Sequence, residues 1–196
     1  MIMRRIVSAT VLSSVLLLGA CQADDKNLEV EETSIIEAGT YEVGTDLPEG
    51  EYVVMTERMG HVEIKDNEGI VLEEILTDGG HDIVQLRDGM KFIVNRADIY
   101  PIDEAPSLRP EDGLYTNGTY RVGIDIDEGT YGVMNDEPLS GLVVVAEKRP
   151  RKEEETLLKK EVKEGTPVQV TLKEGEYVTL HGAFIRIGRK TPMPLG

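Results

Sequence analysis

Residues Gly39–Met55 read GTYEVGTDLPEGEYVVM, and Gly118–Met134 read GTYRVGIDIDEGTYGVM. Eleven of the seventeen positions are identical at a constant offset of 79. A second match, Leu86–Ile99 (LRDGMKFIVNRADI) with Leu172–Ile185 (LKEGEYVTLHGAFI), runs at an offset of 86. Matches at both ends of each half make an internal duplication the economical reading. The offset grows because the second half is longer in its middle, where Asp66-Asn67-Glu68-Gly69 gives way to a stretch running from Glu147 to Glu155. An insertion there falls where a hairpin loop belongs, and exposed loops accept added length at little cost in stability.

Inside the phrase, Tyr41 and Val43 are two apart, as are Tyr52 and Val54, so each pair lies on one face of a strand. Between them Asp46, Leu47, Pro48, Glu49 and Gly50 carry turn chemistry: an Asp that can bond nearby backbone, a Pro that presets φ, a Gly that accepts positive φ. The spacing predicts a hairpin at the head of each half. The second copy keeps Asp125 and Gly129 but has Asp127 in place of Pro48. A turn survives that exchange. Calcium would require about six to eight oxygen ligands, and Asp125, Asp127 and Glu128 have neither EF-hand spacing nor its distal Glu, so no metal is expected.

The rest of the chain has the same texture. Short runs rich in Val, Ile, Tyr and Thr are separated by Asp66-Asn67-Glu68-Gly69, Asp78-Gly79-Gly80 and Asp88-Gly89, and no segment has a helical pattern. Pro101, Pro106 and Pro110 interrupt this texture, and prolines at that density predict a semi-rigid linker. The expected architecture is all-β: two tandem small β-sandwich or barrel-like modules, residues 35–102 and 118–188, joined by a linker at 103–117 and followed by a tail at 189–196. A lone module would be near the size at which one core is marginal, so contact between the two would help both.

Residues 1–34 read differently. Arg4 and Arg5 precede an apolar run from Ile6 to Ala20, then Cys21, the one Cys of the chain. This is the three-part layout of a secretory signal, with 1–20 removed. The run is shorter than the roughly 20 residues a membrane-spanning helix needs, and Ser13 and Ser14 interrupt it. Leu18 fits poorly at the outer position of an ordinary A-x-A cleavage site. The order Leu18-Gly19-Ala20-Cys21 resembles a bacterial lipobox. That resemblance implies a diacylglyceryl group on the Cys21 thiol, cleavage before it, and Cys21 as the mature N-terminus, with or without N-acylation. The alternative is an uncleaved anchor or a secreted protein with one free thiol, and a lone Cys in such a chain otherwise calls for an explanation. Two acyl chains, at roughly 0.8 kcal/mol per buried CH₂, anchor stably where one binds marginally. Residues 22–33, QADDKNLEVEET, are polar and acidic and read as a tether within 21–34.

The phrase Y-x-V-G-x-D-[LI]-x-x-G-x-Y resembles a short repeat of secreted proteins and lipoproteins of Gram-positive bacteria, mostly of uncharacterised function. The matching positions are Tyr41, Val43, Gly44, Asp46, Gly50 and Tyr52, then Tyr120, Val122, Gly123, Asp125, Gly129 and Tyr131. The resemblance implies an extracytoplasmic β module and carries no catalytic residues.

Charge narrows the partners. A formal net charge of −16 opposes the phosphate backbone of nucleic acids and an anionic lipid surface alike. Loss of Arg4 and Arg5 with the signal leaves 19 basic against 37 acidic residues. Catalysis finds little footing. Beyond the signal only Ser34, Ser107 and Ser140 remain, none in a Gly-x-Ser-x-Gly elbow, and Cys21 is expected to be capped by lipid. His61, His81 and His181 lack metal-site spacing and read as lone surface or strand histidines. Met55, Met59 and His61 could offer soft ligands to copper, but the second copy keeps only Met134, so core-filling Met and an exposed His are the expected roles. Lys148, Arg149, Arg151 and Lys152 concentrate positive charge on the inserted loop: a possible grip on an anionic polymer or acidic partner, or a solvated hairpin balanced by Glu147 and Glu153–Glu155.

The expected function is therefore a non-enzymatic binding or interaction module, without cofactor, lipid-anchored on the extracytoplasmic face of the cell membrane and facing an envelope protein or polymer. An envelope polysaccharide hydrolase using a carboxylate pair, and a structural spacer or assembly lipoprotein, are the alternatives.

Overall fold

Alternating Val, Ile, Tyr and Thr, bounded by Gly- and Asp-rich turns, give an all-β fold with fifteen strands among the described residues. The structure is a computed structural model and describes residues 35–77, 79–135, 138–147, 149 and 155–188. Leu18, Gly19, Ala20, Cys21, the tether, Lys148, Arg151, Lys152 and the tail lie outside the described residues. The first half contains β1 (Thr40–Glu42), β2 (Gly50–Met55), β3 (Met59–Asp66), β4 (Gly69–Thr77), β5 (His81–Leu86), β6 (Lys91–Asn95) and β7 (Asp98–Pro101). The second contains β8 (Leu114–Tyr115), β9 (Gly118–Arg121), β10 (Gly129–Met134), β11 (Gly141–Ala146), β12 (Thr156–Val162), β13 (Val168–Leu172), β14 (Tyr177–His181) and β15 (Phe184–Arg186).

Strands pair in the same order in both halves. The order β1-β6-β3-β4 has its counterpart in β9-β14-β11-β12, and β5-β2-β7 in β13-β10-β15. Even the flanking pair is matched: Ile36 bridges Ile99, and Tyr115 of β8 pairs with Ile185. The halves are nevertheless not separate. A parallel contact, His81 with Gly118, joins β5 to β9 and fuses two four- and three-stranded sets into one sheet of seven, β12-β11-β14-β9-β5-β2-β7. All described residues belong to one compact unit.

That fusion explains why successive residues of β2 (Tyr52, Val53, Val54) and of β5 (Asp82, Ile83, Val84) are buried, on both faces of each strand. Alternate side chains serve two cores, as strand geometry requires. Tyr52, Val54, Val84 and Ile99 pack with Phe92 and Ile64 of the first half, whereas Val53, Ile83 and Tyr100 pack with Val143, Val178 and Leu180 of the second. The Pro-rich stretch differs from the expected linker. Leu108 and Tyr115 are buried in the second core, with Ile102 and Ala105 packed against it, because apolar residues between the prolines can cover exposed core edges that polar linkers cannot.

The predicted hairpin is also replaced. β1 pairs with β6, whereas β2 pairs with β5 and β7, so the phrase turns the chain from one sheet to the other. It is a corner, and the same corner leads from β9 to β10.

Candidate functional site

The Asp, the first Gly and both Tyr positions of the repeated phrase each have a backbone task. The Asp46 carboxylate accepts the Glu42 N–H at 2.8 Å, and Asp125 accepts that of Arg121 at 2.9 Å. Gly44 and Gly123, at φ of 93° and 94°, donate their N–H groups to Leu47 and Ile126 carbonyls, both at 2.7 Å. Val43 and Val122 are buried where the corner begins. The tyrosines all donate to a carbonyl four residues earlier: Tyr41 to Glu37, Tyr52 to Pro48, Tyr120 to Thr116 and Tyr131 to Asp127, at 2.6 to 3.0 Å. Burial pushes the Tyr120 hydroxyl up to about 12, which keeps it a donor. These bonds hold the corner in the same form in both halves. Among the described residues no group of three or more His, Cys, Asp or Glu is placed to hold a metal.

The inserted loop does something its sequence does not announce. Arg149, expected on an exposed loop that either grips a partner or is simply solvated, has a fully buried side chain. Its guanidinium pairs with both oxygens of Asp82, reaches Glu74 at 3.3 Å and donates through Nε to the Ile83 carbonyl at 3.3 Å. Asp82 also accepts from Thr119 at 2.7 Å, and Thr119 meets Thr179 at 3.0 Å. A residue of the second half thus neutralises a buried carboxylate of the first. The physical reason is desolvation: burial alone would raise Asp82, but Arg149 and its hydrogen bonds outweigh that and hold it below the usual carboxylate range. Arg149 Nη1 is buried with no hydrogen-bond partner among the described residues. Arg149 is therefore withdrawn from any partner-binding role.

Histidines cluster around this joint. His81, buried, shares a hydrogen bond of 2.9 Å with the Thr119 carbonyl and packs edge-on against Tyr120 at 4.7 Å. Since a carbonyl can only accept, Nε2 carries the proton, and burial pulls the imidazole below its ordinary value. His61 and His181, 120 positions apart in sequence, line one cleft of about 530 Å³ with Leu72, Glu73, Glu74 and Ile75. His61 faces Glu73 at 3.5 Å and His181 faces Glu74 at 3.1 Å. Met55 and Met59 do not join them, so the three candidate copper ligands fall on two different clefts.

The second cleft, about 590 Å³, lies between the β2–β3 loop and the turn from β6 to β7. Ala38, Met55, Thr56, Glu57, Arg58, Met59, Arg96, Ala97 and Asp98 line it. Neither guanidinium makes an ion pair or a side-chain hydrogen bond among the described residues. Arg96 has φ of 54°, the one described residue other than glycine with positive φ, while its counterpart Gly182 has φ of 55°. A side chain in that region costs roughly 1–2 kcal/mol. Sequence reasoning noted Met55 and Met59 but missed both arginines. The signal available was the mismatch of Arg96 with Gly182 in otherwise matching segments.

No protein-family model matches the chain, and no curated protein matches it either.

Proposed function

We propose that this protein is a non-enzymatic binding protein, held by a lipid on Cys21 at the outer face of the cell membrane, that takes an envelope component into the cleft bordered by Arg58 and Arg96. The observation carrying this reading is that two exposed arginines line one open cleft of a protein with net charge −16 and make no ion pair among the described residues. Two features favour binding over catalysis. The most deeply buried charges, Asp82 and Arg149, are engaged with one another and with Thr119 and so are spent on joining the halves. The tyrosines of the repeated phrase are tied to backbone carbonyls. The sequence Leu18-Gly19-Ala20-Cys21 supports the anchor.

Fractionation of cells carrying the wild-type chain and Cys21→Ala tests the placement. Wild type sediments with membranes and the variant leaves them; a variant that stays membrane-bound defeats the anchor. Photocrosslinking from position 59 in intact cells tests binding. An adduct with one envelope component supports it, and the absence of any adduct from the membrane-held protein defeats it.

A further inference from the structure

The two walls of the arginine cleft are tied to one residue. Thr56, itself buried, fastens both walls: its hydroxyl donates to the Arg96 carbonyl at 2.9 Å and accepts the Arg58 N–H at 3.4 Å. The two arginines are therefore tied through their backbones to one residue, which fixes the spacing of the loops that carry them. Arg96 occupies a backbone conformation that side chains resist, where the second half uses Gly182. Strain retained at an exposed cation that has no ion pair or side-chain hydrogen bond among the described residues points to a ligand. In the second half the same turn is closed instead: Asn117 accepts the Gly182 N–H at 2.7 Å, whereas the first half has Ala38 at the position of Asn117.

The remaining lining defines the chemistry. Met59, half exposed, with Met55, Ala38 and Ala97 offers flexible apolar contact on the same cleft as the guanidinium groups. Glu57 and Asp98 also line it, and neither lies within ion-pair distance of either arginine. Two cations beside two anions suit one compact oxyanion and repel a polyanion, whose further charges would meet the carboxylates. We propose that the cleft binds a single carboxylate or phosphate group borne on a short apolar chain, the arginines holding the oxyanion through charge-assisted hydrogen bonds and the methionines covering the chain. This rests on the binding reading above and names its ligand class.

The full mature chain in zwitterionic nanodiscs, with ¹³C-methyl methionine, is titrated with hexyl phosphate, hexanoate, hexanol and inorganic phosphate while the Met55 and Met59 methyl signals are followed. Hexyl phosphate or hexanoate should give saturable shifts, with hexanol and inorganic phosphate at least tenfold weaker. Arg58→Gln and Arg96→Gln should each weaken binding by about tenfold to a hundredfold, the range for loss of a charged hydrogen bond. Arg96→Gly should weaken binding similarly and yet raise the melting midpoint, a combination that a merely structural arginine would not produce. Shifts on nanodiscs containing phosphatidylglycerol, without soluble ligand, identify a lipid headgroup as the source; shifts with the soluble ligand alone identify a free one. No shift in either arm, equal binding of hexanol, or unchanged affinity in both glutamine variants overturns the proposal. Crosslinking in cells that persists in Arg58→Gln/Arg96→Gln overturns the cleft assignment and leaves the binding reading standing. Saturable binding in vitro without a cellular adduct does the reverse.

Discussion

The corner at Val43–Gly50 and the corner at Val122–Gly129 are one device used twice, whereas the hairpin tip at Asp66–Gly69 and the loop at Glu147–Glu155 have parted company. In the corners, Asp, Gly and Tyr answer to the backbone, and the bonds they make have nearly the same lengths in both halves. At the shorter tip, Asp66 merely caps its own turn, accepting from Glu68 and Gly69 at 2.7 and 3.1 Å. The longer loop instead sends Arg149 to Asp82. Sequence agreement between the halves marks backbone work. Disagreement marks places where a side chain was free to act at a distance, at Arg149 toward the other half and at Arg96 toward the solvent.

The strongest way to break this contrast is to remove Arg149. Arg149→Ala should destabilise the fold by about 3–5 kcal/mol in chemical denaturation, because it leaves the Asp82 charge buried without its partner. Asp82→Leu combined with Arg149→Met should recover much of that loss, since apolar replacements have no charge to desolvate. If Arg149→Ala unfolds at the wild-type midpoint, the loop is not a fastener.

The corners can be sharpened against each other. Asp125 is buried and also holds the Arg121 guanidinium at 2.8 and 3.0 Å, whereas Asp46 is exposed and serves backbone alone. Asp125→Ala should cost about 2–3 kcal/mol and Asp46→Ala about 1 kcal/mol or less, measured by the same denaturation. Equal costs would mean that the backbone bond alone matters.

Acid tests the joint. With the folded pKa of His81 lowered, the unfolded chain takes up the proton first, so stability is full above an imidazole's ordinary value of about 6.5 and is lost as pH falls below it. The slope for one proton cannot exceed about 1.4 kcal/mol per pH unit. Asp82, lowered by Arg149, adds its own loss at more acid pH, as its carboxylate protonates. Denaturant midpoints from pH 8 to 5 should show the first loss in wild type and not in His81→Gln; parallel curves would exclude His81 as the cause.

The smallest effect concerns the paired turns. Gly182→Ala should cost about 1 kcal/mol in thermal unfolding, because it places a side chain in the conformation that Arg96 already occupies. A neutral result would remove the strain that singles out Arg96.

Much of the fold was legible because its signals are local. Strand alternation, Gly- and Asp-rich turns and the duplicated phrase announce an all-β chain, and the paired phrase predicts that whatever it builds is built twice. Its partner strands were not legible: a corner and a hairpin share the same turn residues, and only the pairing of β1 with β6 tells them apart. Leu108 and Tyr115 were hidden among prolines, whose composition reports stiffness rather than burial. The clefts were least visible of all. His61 with His181, and Arg58 with Arg96, come from segments far apart in the chain, so proximity is set by packing. By itself the sequence determined the strand class, the twofold plan and the acidic surface, since these follow from residue type and near-neighbour spacing. Tertiary structure alone decided that the halves share a sheet, that Arg149 is buried against Asp82, and that Arg58 and Arg96 line one cleft, because each depends on which strand edges and loops meet in space.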